Sequence, residues 1–206
     1  RLGGVDPYSA SKASVEIITR AYYNSFFKAE NKCGISTGRA GNVIGGGDWS
    51  PNRLIPDCIR SILTNKTIFL RKPNFNRPWQ FVLEPIKGYL LLAQKQYKNP
   101  KRYSGAWNFG TNPKSITSVL EVVKKIINRW GEGKLKFKKN NLYEQENLQL
   151  NINKSKKILK WSPTYNVTES VHVTTDWYYQ VLKNNKNPIE TTLAQIKKYM
   201  HESIKK

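Results

Sequence analysis

Residues 34–49, GISTGRAGNVIGGGDW, decide the fold class. The first part reads as a buried strand, and it runs into three consecutive glycines, Gly45–Gly47, that permit a tight loop close to a ligand. The spacing is not GxGxxG, so no dinucleotide fingerprint is read there. Upstream, residues 9–30 have helical periodicity, with Val15, Ile18, Ala21, Tyr22, Ser25 and Phe26 on one apolar face and Cys33-Gly34 as the stop. Downstream, RLIPDCIRSILTN suits a short helix with Pro56 in its first turn. TIFLRKP is a strand, RPWQFVLEPIKGYLLLAQKQ a strand turning into a helix, and GAWNFG another buried strand. SITSVLEVVKKIINRWG is a helix that Ser115 or Thr117 can cap and Gly131 ends. KLKFKKNN and ENLQLNI read as strands, KSKKILKW as a short helix, and 168–183 and 190–204 as closing helices. Alternating strands and helices predict an α/β fold with part of its sheet missing.

The 206 residues, 38% hydrophobic with six Trp, eleven Tyr and seven Phe, can bury a sizeable core. The longest apolar run, GYLLLA near residue 90, is too short to span a membrane. Cys33 and Cys58 have no partner at metal-ligand spacing and read as free thiols of a reducing cytoplasm. With 35 Lys and Arg against 14 Asp and Glu, the net charge is +21, which invites a nucleic-acid surface. The lysines are spread over the whole second half rather than gathered in a stripe, and no zinc-finger, homeodomain or RNA-recognition motif accompanies them. Nucleic acid is therefore not the expected partner; an anionic small substrate needs only two or three placed cations.

Tyr8 and Lys12, in VDPYSASKASVEII, stand one helical turn apart and point the same way. An ammonium beside a phenol favours the phenolate, so such a pair can exchange a proton with a substrate hydroxyl. The spacing alone decides nothing, because Tyr97/Lys101 and Tyr179/Lys183 share it. Pro100 argues against a helix at the first of these, and the second falls in a Lys-rich helix.

Neighbouring motifs add what spacing lacks. PYSASK, followed 27 residues later by RAGNVIGGGDW, resembles the extended short-chain dehydrogenase/reductase family. With RKPNFNRPWQFVLEP, WNFG, LQLNINKSKKILKW and a closing WYY in order, the chain is most similar to its CDP-glucose 4,6-dehydratase branch, over residues 2 to about 180. The resemblance implies the later part of a Rossmann-type fold over 1–50 and mainly a sugar-nucleotide domain over 51–206, with the Gly-rich NAD-cradling βαβ unit missing. It implies NAD as cofactor, a CDP-sugar as substrate, a homodimer, no membrane, and a cytoplasmic enzyme that oxidises C4, eliminates water across C5 and C6, and returns hydride to C6. Tyr8 would be the acid/base at the C4 hydroxyl; Lys12 would support it and hold the NAD ribose, with Arg39 also on the cofactor. Asn42 would donate to the diphosphate. Arg53 with Leu54, and Arg77, would grip nucleotide and phosphate, as forked guanidinium groups can. Asn108 and Glu144 would stand at the substrate edge. Asp48 and Trp49 either read the cytosine or are a capping Asp and a core Trp. Phe81 replaces an expected His four residues after Arg77; Asn151 and Lys160 replace Asp and Gly in the late motif. Only seven residues precede Tyr8, and none is the Ser or Thr that the first step needs or a Glu or His that could serve the elimination, so the expectation is that these 206 residues alone do not turn over.

Overall fold

The structure, a computed structural model, describes residues 6–29, 33–112, 115–138 and 149–205. In chain order the first elements are α1 (Pro7–Tyr22), β1 (Ser36–Ala40), β2 (Asn42–Ile44), α2 (Leu54–Leu63), β3 (Thr67–Leu70), β4 (Asn76–Arg77) and β5 (Trp79–Phe81). There follow α3 (Leu83–Lys98), α4 (Pro100–Tyr103), β6 (Gly105–Phe109), β7 (Thr117–Ser118), α5 (Val119–Trp130), β8 (Lys134–Phe137), α6 (Val167–Leu182) and α7 (Pro188–Ile204). The chain is α/β, and it divides into two compact units.

The first unit comprises Arg1–Ala40, Ile86–Phe109 and Asn151–Ser162. In it α1 starts where local chemistry favours a start: Asp6 is extended and accepts the Ser9 N–H at 2.9 Å, and Pro7 sits where its missing N–H costs least. The helix continues into a π-helical turn, Tyr23–Phe27. β1 and β6 pair in parallel, with Arg39 opposite Asn108. Beside β6, Gly88 lets α3 approach closely, since a Cβ there would meet the Phe109 ring at 2.3 Å. The predicted apolar face of α1 is not a buried face: Val15, Ile18, Tyr22 and Phe26 are exposed, and Ala13 is the buried residue. The reason is the way α1 meets β1, through Glu16, whose carboxylate accepts from Thr37 and Arg39. The predicted strand in ENLQLNI is absent over 149–152, the part within the described residues. There the Asn151 side chain accepts the Asn153 N–H at 2.9 Å, a local turn that leads into the helical turn Ser155–Leu159.

The second unit comprises Gly41–Pro85, Gly110–Leu150 and Pro163–Lys206. Here β2 pairs in parallel with β5, β3 in parallel with β8, and β4 antiparallel with β7. Ile55 and Ile59 of α2, Val122 and Ile126 of α5, and Val171 and Tyr178 of α6 share one core. Cys58 lies in it as a free thiol, pushed up to about 12 by burial and then by Asp57. Neither Ser115 nor Thr117 caps α5; the cap is Ser118, whose hydroxyl accepts the Glu121 N–H at 3.2 Å. Residues 117–118 are held extended as β7 against β4, so helical geometry begins only at Val119. The stop at Gly131 is as expected, with φ +96°. The three glycines after β2 answer to packing as well as to a loop. A Cβ on Gly46 would sit 2.1 Å from the Trp177 ring, and Gly47 has φ +82°. Among the described residues no helix is long and apolar enough to cross a membrane.

Candidate functional site

A cavity of about 520 Å³ opens in the second unit between the end of β2, the start of α2, and the segment from β3 to β5. Five of the expected substrate residues line it: Asn42, Asp48, Arg53, Leu54 and Arg77. Asn42 is placed by pairing with Trp79 and by its own N–H, which donates to Pro78 O at 3.1 Å. Arg53 is the extended residue that precedes α2, so the cavity it lines adjoins the helix N-terminus, where the aligned peptide dipoles add positive potential. Arg77 is 6% exposed; it donates to Asn76 O at 2.9 Å and its guanidinium carbon lies 5.3 Å from the Phe75 ring centroid.

Asp48 accepts the Ser50 N–H at 2.9 Å. Burial raises its carboxyl, but the Ser50 hydrogen bonds, with Arg53 and Arg60 nearby, outweigh burial and bring it below its ordinary value. Its backbone carbonyl accepts the Tyr178 hydroxyl. Trp49 does not line the cavity; it stands 43% exposed, edge-on to Tyr178 at 5.3 Å, and so is not a core Trp either.

Asn52, Arg71, Lys72, Phe75 and Trp79 also line the cavity and were not singled out from sequence. The available signal was RKPNF, two cations and an aromatic around a Pro-Asn turn. The cavity thus brings together Arg53, Arg71, Lys72 and Arg77 against two carboxylates, Asp48 and Asp57, and Asp57 is paired with Arg60. Such a surplus of cations suits an anionic ligand.

Tyr8, Lys12, Arg39 and Asn108 belong to the first unit. Tyr8 and Lys12 lie on the exposed face of α1, with the Lys12 ammonium 5.7 Å from the Tyr8 ring centroid. A hydroxyl and an ammonium, both open to solvent, form a donor set that fits a ribose diol. Arg39 makes a two-pronged pair with Glu16, 2.7 Å at each prong. That pair, set against the smaller cost of burial, holds the Glu16 carboxyl below its ordinary value. The Asn108 side-chain amide donates to Asn151 O at 2.9 Å, and its backbone carbonyl accepts the Ser155 hydroxyl. Glu144 lies outside the described residues. Phe81 is not at the cavity; it is 2% exposed, clustered with Tyr165 and Tyr199.

The two other Tyr/Lys pairs have structural explanations. Tyr97 ends its run in α3 while Lys101 belongs to α4, so they share no helix. Tyr179 packs edge-on against Trp130 at 5.3 Å, and Lys183 pairs with Glu132 at 3.1 Å.

The sequence profile of the GDP-mannose 4,6 dehydratase family matches residues 2–174. A CDP-glucose 4,6-dehydratase of Salmonella typhimurium is 39% identical over 183 residues, which cover 86% of this chain and 51% of the relative. Among solved structures, dTDP-glucose 4,6-dehydratase from Bacillus anthracis in complex with NAD superposes with a TM-score of 0.73 at 24% identity, covering 87% of this chain and 54% of that one. A UDP-glucuronic acid 4-epimerase from Bacillus cereus, in complex with UDP-glucuronic acid and NAD, gives 0.71 at 20% identity, over 87% and 54%. These two likenesses show the fold. The chain spans about half the length of the Salmonella relative and of both structures.

Proposed function

The chain belongs to the GDP-mannose 4,6 dehydratase family, and on that premise we propose that its protein is an NAD-dependent lyase that converts CDP-D-glucose to CDP-4-keto-6-deoxy-D-glucose. The observation that carries the reading is the cationic cavity, in which Asn42, Arg53 and Arg77 converge. Two forked guanidinium groups and an amide donor match a diphosphate bridge. Support for cytidine as the base comes from the 39% identical relative.

In this reading the diphosphate is held by Arg53 and Arg77, with the Asn42 amide donating to it. Asp48, kept ionised by the Ser50 hydrogen bonds, accepts from an exocyclic amine such as that of cytosine. Tyr8 takes the proton of the sugar C4 hydroxyl, with the Lys12 ammonium one helical turn away. Tyr8 and Lys12 are also the residues that would hold the nicotinamide ribose. A bound NAD would supply the hydride chemistry, as acceptor from C4 and as donor to C6 once the C5 proton and the C6 hydroxyl have left as water.

Calorimetric titration with CDP, UDP and dTDP tests the base and the cavity together. CDP is expected to bind tightest, and Arg53→Ala or Arg77→Ala to weaken it by roughly tenfold or more. Equal binding of the three nucleotides would remove the cytidine assignment. No binding of any would remove the nucleotide-sugar reading.

A further inference from the structure

The segment Lys72–Pro73–Asn74–Phe75 is a turn in which the Phe75 N–H donates to Lys72 O at 3.3 Å, with proline in the second position, where its fixed φ fits. It is tied down at both ends. Pro73 O accepts the Leu120 N–H and Phe75 O the Val119 N–H, each at 2.9 Å, so two carbonyls of the turn satisfy N–H groups at the start of α5. Immediately after, β4 pairs with β7. The Phe75 backbone is therefore tied to the start of α5 and to the β4–β7 pair. The Phe75 ring has the Lys72 ammonium 5.4 Å and the Arg77 guanidinium 5.3 Å from its centroid, and all three residues line the cavity.

Two cations drawn to one ring repel each other, and the ring's quadrupole offsets part of that repulsion. Of the cavity's two carboxylates, Asp48 accepts the Ser50 N–H and Asp57 pairs with Arg60. A compact ammonium and a flat guanidinium, each within 5.4 Å of one ring centroid and both lining the cavity, suit two linked phosphates better than one carboxylate. We propose that Phe75 is a positioning residue that presents Lys72 and Arg77 together as a clamp for a diphosphate, with Lys72 a phosphate-binding group. The clamp deepens the nucleotide-sugar reading and rests on it for the identity of the ligand, but its chemistry can be probed without the nucleoside.

The test titrates the protein, Lys72→Gln, Phe75→Leu, Phe75→Tyr and the Lys72→Gln/Phe75→Leu double variant with pyrophosphate and CDP. Lys72→Gln is expected to weaken both ligands by roughly tenfold. Phe75→Leu, which keeps bulk and loses the ring, is expected to weaken both by about threefold, while Phe75→Tyr retains binding. In the double variant the losses should fall short of the product of the two single losses, because Phe75 acts partly through Lys72. Wild-type affinity in Phe75→Leu, a full product in the double variant, or no pyrophosphate binding by the unmodified protein would each overturn the clamp. Should Phe75→Leu fail to fold, wild-type affinity in Lys72→Gln overturns it and a loss there sustains it. If pyrophosphate shows the expected losses but CDP binds no better than pyrophosphate, the clamp stands and the nucleotide-sugar reading fails.

Discussion

For Tyr8 the chemistry rests on one hydroxyl. Phenylalanine there keeps the ring that faces Lys12 but cannot exchange a proton, so Tyr8→Phe is expected to lower turnover of the complete enzyme by about a hundredfold or more. CDP affinity should stay within about twofold, because the proposed function puts Tyr8 in the reaction and not at the diphosphate. Initial rates and titrations measure the two effects, and unchanged turnover would remove the acid/base role. Tyr8 was singled out only through its neighbouring motifs, since its spacing to Lys12 recurs twice where the pairs are split between helices or engaged with Trp130 and Glu132. What no local pattern announces is a partner far along the chain. Glu16 and Arg39 are separated by 23 residues and joined only by the docking of α1 on β1. Their pairing sets a pH dependence. The Glu16 carboxyl is held below its ordinary 4.5, first by the Arg39 hydrogen bond and then, against burial, by Thr37. A carboxylate lowered in the folded state contributes stability that is present above its unfolded value and lost as pH falls through its folded one. Stability should therefore decline from pH 4.5 downward. Glu16→Gln should flatten that limb by about 1 kcal/mol or less, because Arg39 is 39% exposed and solvent screens the pair. Urea titrations at stepped pH measure it, and superimposable acid limbs would refute it.

Elements begin and end where short-range chemistry is strong, by rules that need no tertiary knowledge. Gly131 was read as a helix end by such a rule, whereas Asp6-Pro7 and Asn166 with Glu169 obey the same short-range rules but were passed over, the helices being expected from 9 and from 168. The start of α5 was misread because Thr117 and Ser118 are spent on a two-residue ladder with Asn76 and Arg77, a pairing across some forty positions that the sequence does not display. The glycine loop was read for its freedom, whereas the tighter constraint at Gly46 is the ring of Trp177, 131 positions away. Gly46 and Gly131 therefore separate two costs. Gly46→Ala forces a Cβ to 2.1 Å from a buried indole, which must shift or strain, so a loss of about 1–3 kcal/mol is expected. Gly131→Ala meets nothing within 4 Å and incurs only the left-handed backbone at φ +96°, about 1–2 kcal/mol. The distinguishing signature is the near-ultraviolet circular dichroism of the tryptophans, which Gly46→Ala should perturb and Gly131→Ala should not. An unaltered spectrum in Gly46→Ala would mean that Trp177 does not rest on that glycine.

At the scale of the whole molecule, charge and burial divide the labour. The +21 charge lies mainly on exposed lysines, and the cations that matter to the cavity are the few that the β3–β5 segment and the start of α2 turn inward. The reverse case is Glu84, whose carboxylate is fully buried. It accepts the N–H groups of Thr164 and Tyr165 at 2.9 and 2.7 Å and the Tyr199 hydroxyl at 2.8 Å, joining the start of α3 to the segment before α6 and to α7. Burial first, and then this carboxylate, push the Tyr199 phenol far above its ordinary value, so it stays a donor at any working pH. Phe81 belongs to the same place: the Phe81, Tyr165 and Tyr199 rings surround one another within about 6 Å, which makes an aromatic at position 81 a packing choice. The sequence showed only LEP after an aromatic strand, and nothing in it joined that Glu to a Tyr 115 positions later. Tyr199→Phe removes one hydrogen bond to a charged group and should cost about 1.5–3 kcal/mol. Glu84→Gln keeps the shape but replaces an oxygen that accepts with an amide that donates. Its NH2 then faces a donor, so the loss should be larger, about 3–5 kcal/mol. In the double variant the penalties should not add, because both delete the same bond. Urea unfolding of the four proteins measures the coupling. Additive losses would show that Tyr199 and Glu84 stabilise the second unit separately, and that α7 is held by its apolar contacts rather than by the buried carboxylate.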